Sequence, residues 1–183
     1  MFDEAELPEE FFDSESHEPI SSCLVCGVNF NQAGCDYFIE KVFRRVESLD
    51  LTETMYEYAL CVNCAEAKRN ELSRESMQRI QEFVESRFRR IDLNADPTER
   101  IKKCIVTGKP VKDDTEYTIQ AYCRNGKLLS GVFPFAISGE AMDEMEGLLS
   151  EKTRDELDRF RDAYFGGPPE MREFFKKRRI IPI

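Results

Sequence analysis

Histidine is almost missing from this chain, with His17 the only one among 183 residues. That scarcity excludes a zinc-protease HExxH helix. It also excludes a His-based nucleophile site unless the acidic leader around His17 folds over the body. A glycine-rich phosphate loop is absent too. No apolar run approaches the ~20 residues that cross a bilayer. The opening Met1-Phe2-Asp3-Glu4-Ala5-Glu6 lacks the basic and apolar regions of a secretory signal. Nor is there an excess of positive charge, because the net charge is −10. Residues 1–18 hold eight acids and no Lys or Arg, and the rest carries 28 acids against 26 bases. This is not the footprint of a protein that grips a phosphate backbone. With 41% apolar and 34% charged residues, each half of the chain has a modest core that a metal would reinforce.

What the chain does have is cysteine. There are seven, an odd number that cannot all pair as disulfides. Four fall in two CxxC pairs, Cys23-Leu-Val-Cys26-Gly27 and Cys61-Val-Asn-Cys64. A two-residue gap lets one tight turn present two sulfurs to one ion, and zinc takes four soft ligands in a tetrahedron. Cys23, Cys26, Cys61 and Cys64 are therefore the expected ligands of one structural Zn2+. A redox CxxC and two unmetallated pairs are the competing readings. Four thiolates fill the tetrahedron, so no position is left for water or substrate. Thiols kept free for metal point to a reducing cytoplasm. Cys35 is close enough in sequence to exchange as a fifth thiol but reads as a small apolar residue, and Cys123 reads as core.

Residues 1–18 read as an acidic, disordered tail whose Phe11 and Phe12 dock locally or serve as a linear motif. Asp36–Glu47 is rich in β-branched and aromatic residues and predicts a strand, with Met55–Leu60 returning beside it. A helical pattern starts near Cys64. Ser73 is a candidate N-cap for a second helix with an apolar stripe at Met77, Ile80, Phe83, Val84, Phe88 and Ile91. The polar stretch from Asp92 through Pro97 predicts a boundary between a zinc-binding module (19–92) and a second module (100–166). Residues 167–183 predict a short helix with Met171, Phe174 and Phe175 on one side, followed by a basic run, Lys176–Arg179.

The second module repeats the first. Cys104-Ile-Val-Thr107-Gly108 matches Cys23-Leu-Val-Cys26-Gly27, and Glu116–Ile119 matches Asp36–Ile39. Val132–Ser138 matches Met55–Cys61 at an offset of 77 residues, and the same offset aligns Ser73, Ser76, Ile80 and Phe83 with Ser150, Thr153, Leu157 and Phe160. The offset shrinks across the hairpin, where Asn125-Gly126 is a strong two-residue turn signal. An offset held this long predicts an internal duplication. At the ligand positions the copy carries Cys104, Thr107, Ser138 and Ala141, which is not a zinc site. It must hold together by packing, with Phe133, Phe135, Ile137, Leu148, Leu149, Leu157 and Phe160 as candidate core.

Knuckle, β-hairpin, then a helix whose first turn supplies the second ligand pair: this order resembles a treble-clef zinc finger over Cys23–Phe88, and more weakly over Cys104–Phe165. The resemblance implies an α+β fold of two tandem treble-clef-like modules, the second metal-free, packed about a pseudo-two-fold. It implies no particular activity. The expected function is a non-enzymatic zinc module that binds another protein, as an adaptor. The alternatives are a nucleic-acid-binding or transcription-regulating zinc finger using Arg44, Arg45, Arg87, Arg89, Arg90 and the 176–179 run, and a thiol redox switch at Cys61 and Cys64. No membrane partner is expected.

Overall fold

Strand-forming residues between turn residues give the molecule its centre. The computed structural model describes residues 4–32, 34–88, 92 and 95–166. In chain order the elements are β1 (Glu4–Glu6), β2 (Asp36–Val46), β3 (Leu51–Cys61), α1 (Val62–Glu71), α2 (Arg74–Phe88), α3 (Pro97–Arg100), β4 (Glu116–Arg124), β5 (Lys127–Leu129), β6 (Phe135–Ser138), α4 (Gly139–Gly147) and α5 (Glu151–Phe165). The fold is mixed α and β. The C-terminal helix and basic run expected over 167–183 lie outside the described residues, as do Arg89, Arg90 and Ile91.

All six strands join one antiparallel sheet in the order β1-β5-β4-β2-β3, with β6 also on β4. The two long hairpins meet strand to strand: β2 lies against β4 from Asp36 opposite Arg124 to Arg44 opposite Glu116. The polar break at 92–96 therefore does not separate two sheets. It is filled by α3, where Asp96 accepts the Thr98 N–H at 2.8 Å and Pro97 begins the turn. The first hairpin closes through Asp50 in the left-handed region, and the strand expected from Met55 starts earlier, at Leu51. In the second hairpin Asn125 and Gly126 both take positive φ, the two-residue turn that matches strand twist. Its return strand is split, because Val132 is exposed and Pro134 has no N–H for the ladder, so β6 starts only at Phe135.

Helices cover one face of the sheet. Tyr58 on β3 meets the rings of Phe160 and Phe165 on α5 at 5.9 and 5.6 Å. Ile80, Val84, Leu149, Leu157 and Phe160 are buried there, while Phe83, Phe133 and Leu148 are half-buried against the same core. α2 and α5 meet at their N-termini and cap each other. The Ser73 N–H donates to Thr153 Oγ1 at 2.9 Å, and the Ser150 N–H donates to Ser76 Oγ at 2.7 Å. Each N-cap hydroxyl still accepts from its own helix, at Ser76 N–H and Thr153 N–H. This is a capping box whose return arm comes from the other helix.

The leader is not a disordered tail from Glu4 onward. β1 extends the sheet beside β5, and Phe11 is completely buried. The reason lies in Lys41 on β2, which is itself buried. A buried ammonium needs acceptors, and it donates to the Phe12 carbonyl, to Ser14 Oγ at 3.2 Å and to the Glu57 carboxylate at 3.0 Å. The Ser14 N–H and hydroxyl also donate to Glu57, at 3.0 and 2.8 Å. An acidic segment thus docks through β1, the buried Leu7 and Phe11 and one shared cation. Phe11→Ala should lower the unfolding free energy by about 3–5 kcal/mol, as for a core phenylalanine; denaturant titration showing no change would mean that the leader contributes nothing.

Glu40, one residue before Lys41, faces the opposite side of the sheet and is also buried. Burial pushes its carboxyl up to about 7, although Tyr58, Gln120 and Thr118 donate hydrogen bonds that favour the ionised form. Between the ordinary value of 4.5 and about 7 the folded state keeps a proton that the unfolded chain has lost. Stability should therefore fall as pH rises through that window, by at most about 1.4 kcal/mol per pH unit. Glu40→Gln should flatten this slope; unfolding curves at pH 5, 6 and 7 in excess zinc that match wild type would contradict the assignment.

Candidate metal centre

The first ligand pair is shaped by a knuckle. The Gly27 N–H donates to the Cys23 carbonyl at 2.9 Å, and the Cys23 N–H donates to the Val28 carbonyl at 3.0 Å. Gly27 closes this turn at φ +70°, a conformation that side chains resist. The Leu24 N–H donates to Ala59 on β3 at 2.9 Å and so fixes the knuckle two residues before Cys61. Cys61 is the N-cap of α1, and Cys64 falls in that helix's first turn. Strand end and helix start therefore deliver the second pair to the first.

The structure brings all four expected residues together. The sulfurs of Cys23, Cys26, Cys61 and Cys64 lie within 4.8 Å of one another, and Cys26 Sγ is 3.8 Å from Cys61 Sγ. Sulfurs about 2.3 Å from a tetrahedral zinc sit about 3.8 Å apart, so the donor set fits such an ion in number, chemistry and spacing. Cys23 and Cys61 are buried, Cys64 is half-buried and Cys26 is exposed, leaving the cluster one face toward solvent.

The four sulfurs differ in how readily they ionise. Burial pushes the Cys23 thiol up, but the N–H groups of Cys26, Cys61 and Val25 outweigh it and bring it down to about 7. Burial raises Cys61 and Cys64, and at Cys64 the neighbouring sulfurs add to the effect. One sulfur of the cluster ionises readily, whereas four adjacent thiolates require a bound metal to offset their repulsion.

The scaffold recurs without the ligands around Cys104. The Gly108 N–H donates to the Cys104 carbonyl at 2.8 Å, the Cys104 N–H donates to Lys109 at 2.8 Å, and the Ile105 N–H donates to Ala136 on β6 at 2.8 Å. The buried Cys104 sulfur accepts the Thr107 N–H at 3.4 Å and the Ser138 N–H and hydroxyl, each at 3.2 Å. Of the two remaining thiols, Cys123 is fully buried in β4, and Cys35 is half-buried at the start of β2.

Sequence reasoning missed the other polar features. Glu40 was not singled out, although it shares a strand face with Phe38 and Val42 and is buried. The leader's His17 and Lys41 on β2 line a cleft of about 660 Å3, which no short motif announces.

Elemental analysis should find one zinc per chain. Cys61→Ser should abolish it together with cooperative folding, since site formation in such modules is worth about 10–16 kcal/mol. Cys104→Ser should retain the zinc and cost only about 1 kcal/mol; equal damage from both would place the ligands elsewhere. Compared with protein-family models, with curated proteins and with solved structures, this chain matches none.

Proposed function

We propose that the chain is a duplicated treble-clef-like protein in which one structural zinc, held by Cys23, Cys26, Cys61 and Cys64, rigidifies a non-enzymatic module for binding another protein. The observation that carries this reading is the sulfur cluster at the start of α1. Four thiolates close the coordination sphere and leave the ion no role except in structure. A zinc thiolate cluster suits the reducing cytoplasm. No helix among the described residues is long and apolar enough to cross a membrane.

Registers and caps support the duplication. In the first half Tyr37 lies opposite Cys61 and Glu40 opposite Tyr58; in the second, Tyr117 lies opposite Ser138 and Gln120 opposite Phe135. These are the pairs that the repeat aligns. Between the halves, Glu40 lies opposite its own equivalent, Gln120, and Ser73 Oγ lies 2.8 Å from its own equivalent, Ser150 Oγ. Equivalent residues meet in this way on a two-fold axis. The exchanged caps between Ser73 and Thr153 and between Ser150 and Ser76 obey the same symmetry.

Among the described residues, the three arginines that would favour nucleic acid are engaged within the chain. Arg44 pairs with Glu116 and Glu53, Arg45 with Asp50, and Arg87 with Glu144 while lying over the Phe83 ring. Competition capture decides between the readings. The zinc-loaded chain should retain a discrete protein that excess untagged chain displaces and that nuclease treatment leaves in place. Retention that nuclease abolishes, together with a gel shift that weakens steeply with salt, would transfer the function to nucleic acid.

A further inference from the structure

A cleft of about 660 Å3 lies away from the cysteines. Its floor is the sheet face opposite Glu40, its first wall is the leader from Glu9 to His17, and its second wall is the segment from Ile101 to Lys112. Phe43 and Tyr117 face each other across the β2–β4 ladder and stack at 5.0 Å with 24° between their planes. They form an aromatic floor about two rings wide. At about 660 Å3 the space suits a small molecule, since ligand pockets span about 300–1,000 Å3.

The charges around this floor are not equally available. Lys41 is committed to Glu57, Ser14 and the Phe12 carbonyl. Asp13 is committed to its own turn, accepting the Ser16 N–H at 2.7 Å and the Glu15 N–H at 3.1 Å. Glu99 is paired with Lys102. Lys103 and Lys112 are exposed at the second wall, and neither has a carboxylate within ion-pair distance among the described residues. Both line the same wall, where Lys103 bridges Pro110 and the Val111 N–H donates to the Lys102 carbonyl. Glu9 and Glu10 stand on the leader wall and make that side repel anions.

We propose that this cleft binds a small planar aromatic molecule bearing one anionic group, with its ring on Phe43 and Tyr117 and its anion on Lys103 and Lys112. The floor supplies apolar and stacking surface, the lysine wall supplies the countercharge, and the leader's carboxylates set the orientation. The inference goes beyond the zinc reading, because none of these residues is a cysteine or touches the metal centre.

Naphthalene-2-carboxylate is a suitable probe, titrated by calorimetry and by amide chemical shifts into the full zinc-loaded chain. One saturable site with Kd of about 1 mM or tighter is expected, with shifts at Phe43, Tyr117 and the 101–112 segment. Lys103→Glu with Lys112→Glu should weaken the carboxylate by about tenfold or more. The neutral naphthalene-2-carboxamide should bind more weakly to wild type and lose less than about threefold in that variant. The milder Lys103→Gln with Lys112→Gln, at exposed positions, should reproduce the direction of the effect with zinc content unchanged. Absence of saturable binding, shifts mapping elsewhere, or a carboxylate affinity indifferent to both lysine variants would each overturn the proposal.

Discussion

The pairing of β2 with β4 is the interaction on which the rest of the molecule depends. It joins two hairpins far apart in sequence into one sheet and thereby decides what each strand residue faces. Along that ladder, Glu40 and Gln120 meet on the helical side, while Phe43 and Tyr117 meet on the side covered by the leader. Adjacent positions in one strand, Glu40 and Lys41, are buried on opposite faces, and each recruits its own set of partners. A shift of one residue in this register would exchange every one of those environments.

The sulfur cluster works at the rim of the same sheet. Cys61 ends β3 and begins α1, so an ion held there would tie strand, helix and knuckle together at one point. Around Cys104 the knuckle is instead joined to β6 by hydrogen bonds to a single sulfur. Hydrogen bonds of this kind contribute roughly 1 kcal/mol each, far less than a metal site, so the burden of holding that half shifts to packing. The buried side chains of Phe135, Ile137, Leu149, Leu157 and Phe160 carry it.

Much of this was legible in the residues themselves. CxxC spacing named four cysteines whose sulfurs the fold gathers closely enough to hold one ion, because that spacing is a local property of tight turns. Asn125-Gly126 named its turn for the same reason, and Ser73 named the start of α2. What escaped was non-local. An acidic leader reads as solvated until a buried lysine across the sheet is seen to need its carbonyl and hydroxyl. Glu40 reads as surface until β4 and α1 enclose it. The cleft arises where three distant segments fail to close on one another, and no stretch of sequence encodes that gap.

Covalent linkage of the two halves has one chemical consequence. In a symmetric homodimer, the residue on the axis must face a copy of itself, so a buried glutamate there would meet another glutamate. On the duplicated reading, a single polypeptide lifts that identity requirement, and here the partner of Glu40 is Gln120, whose amide donates to the carboxyl. On that reading, asymmetry at the axis replaces acid–acid repulsion with a donor–acceptor match.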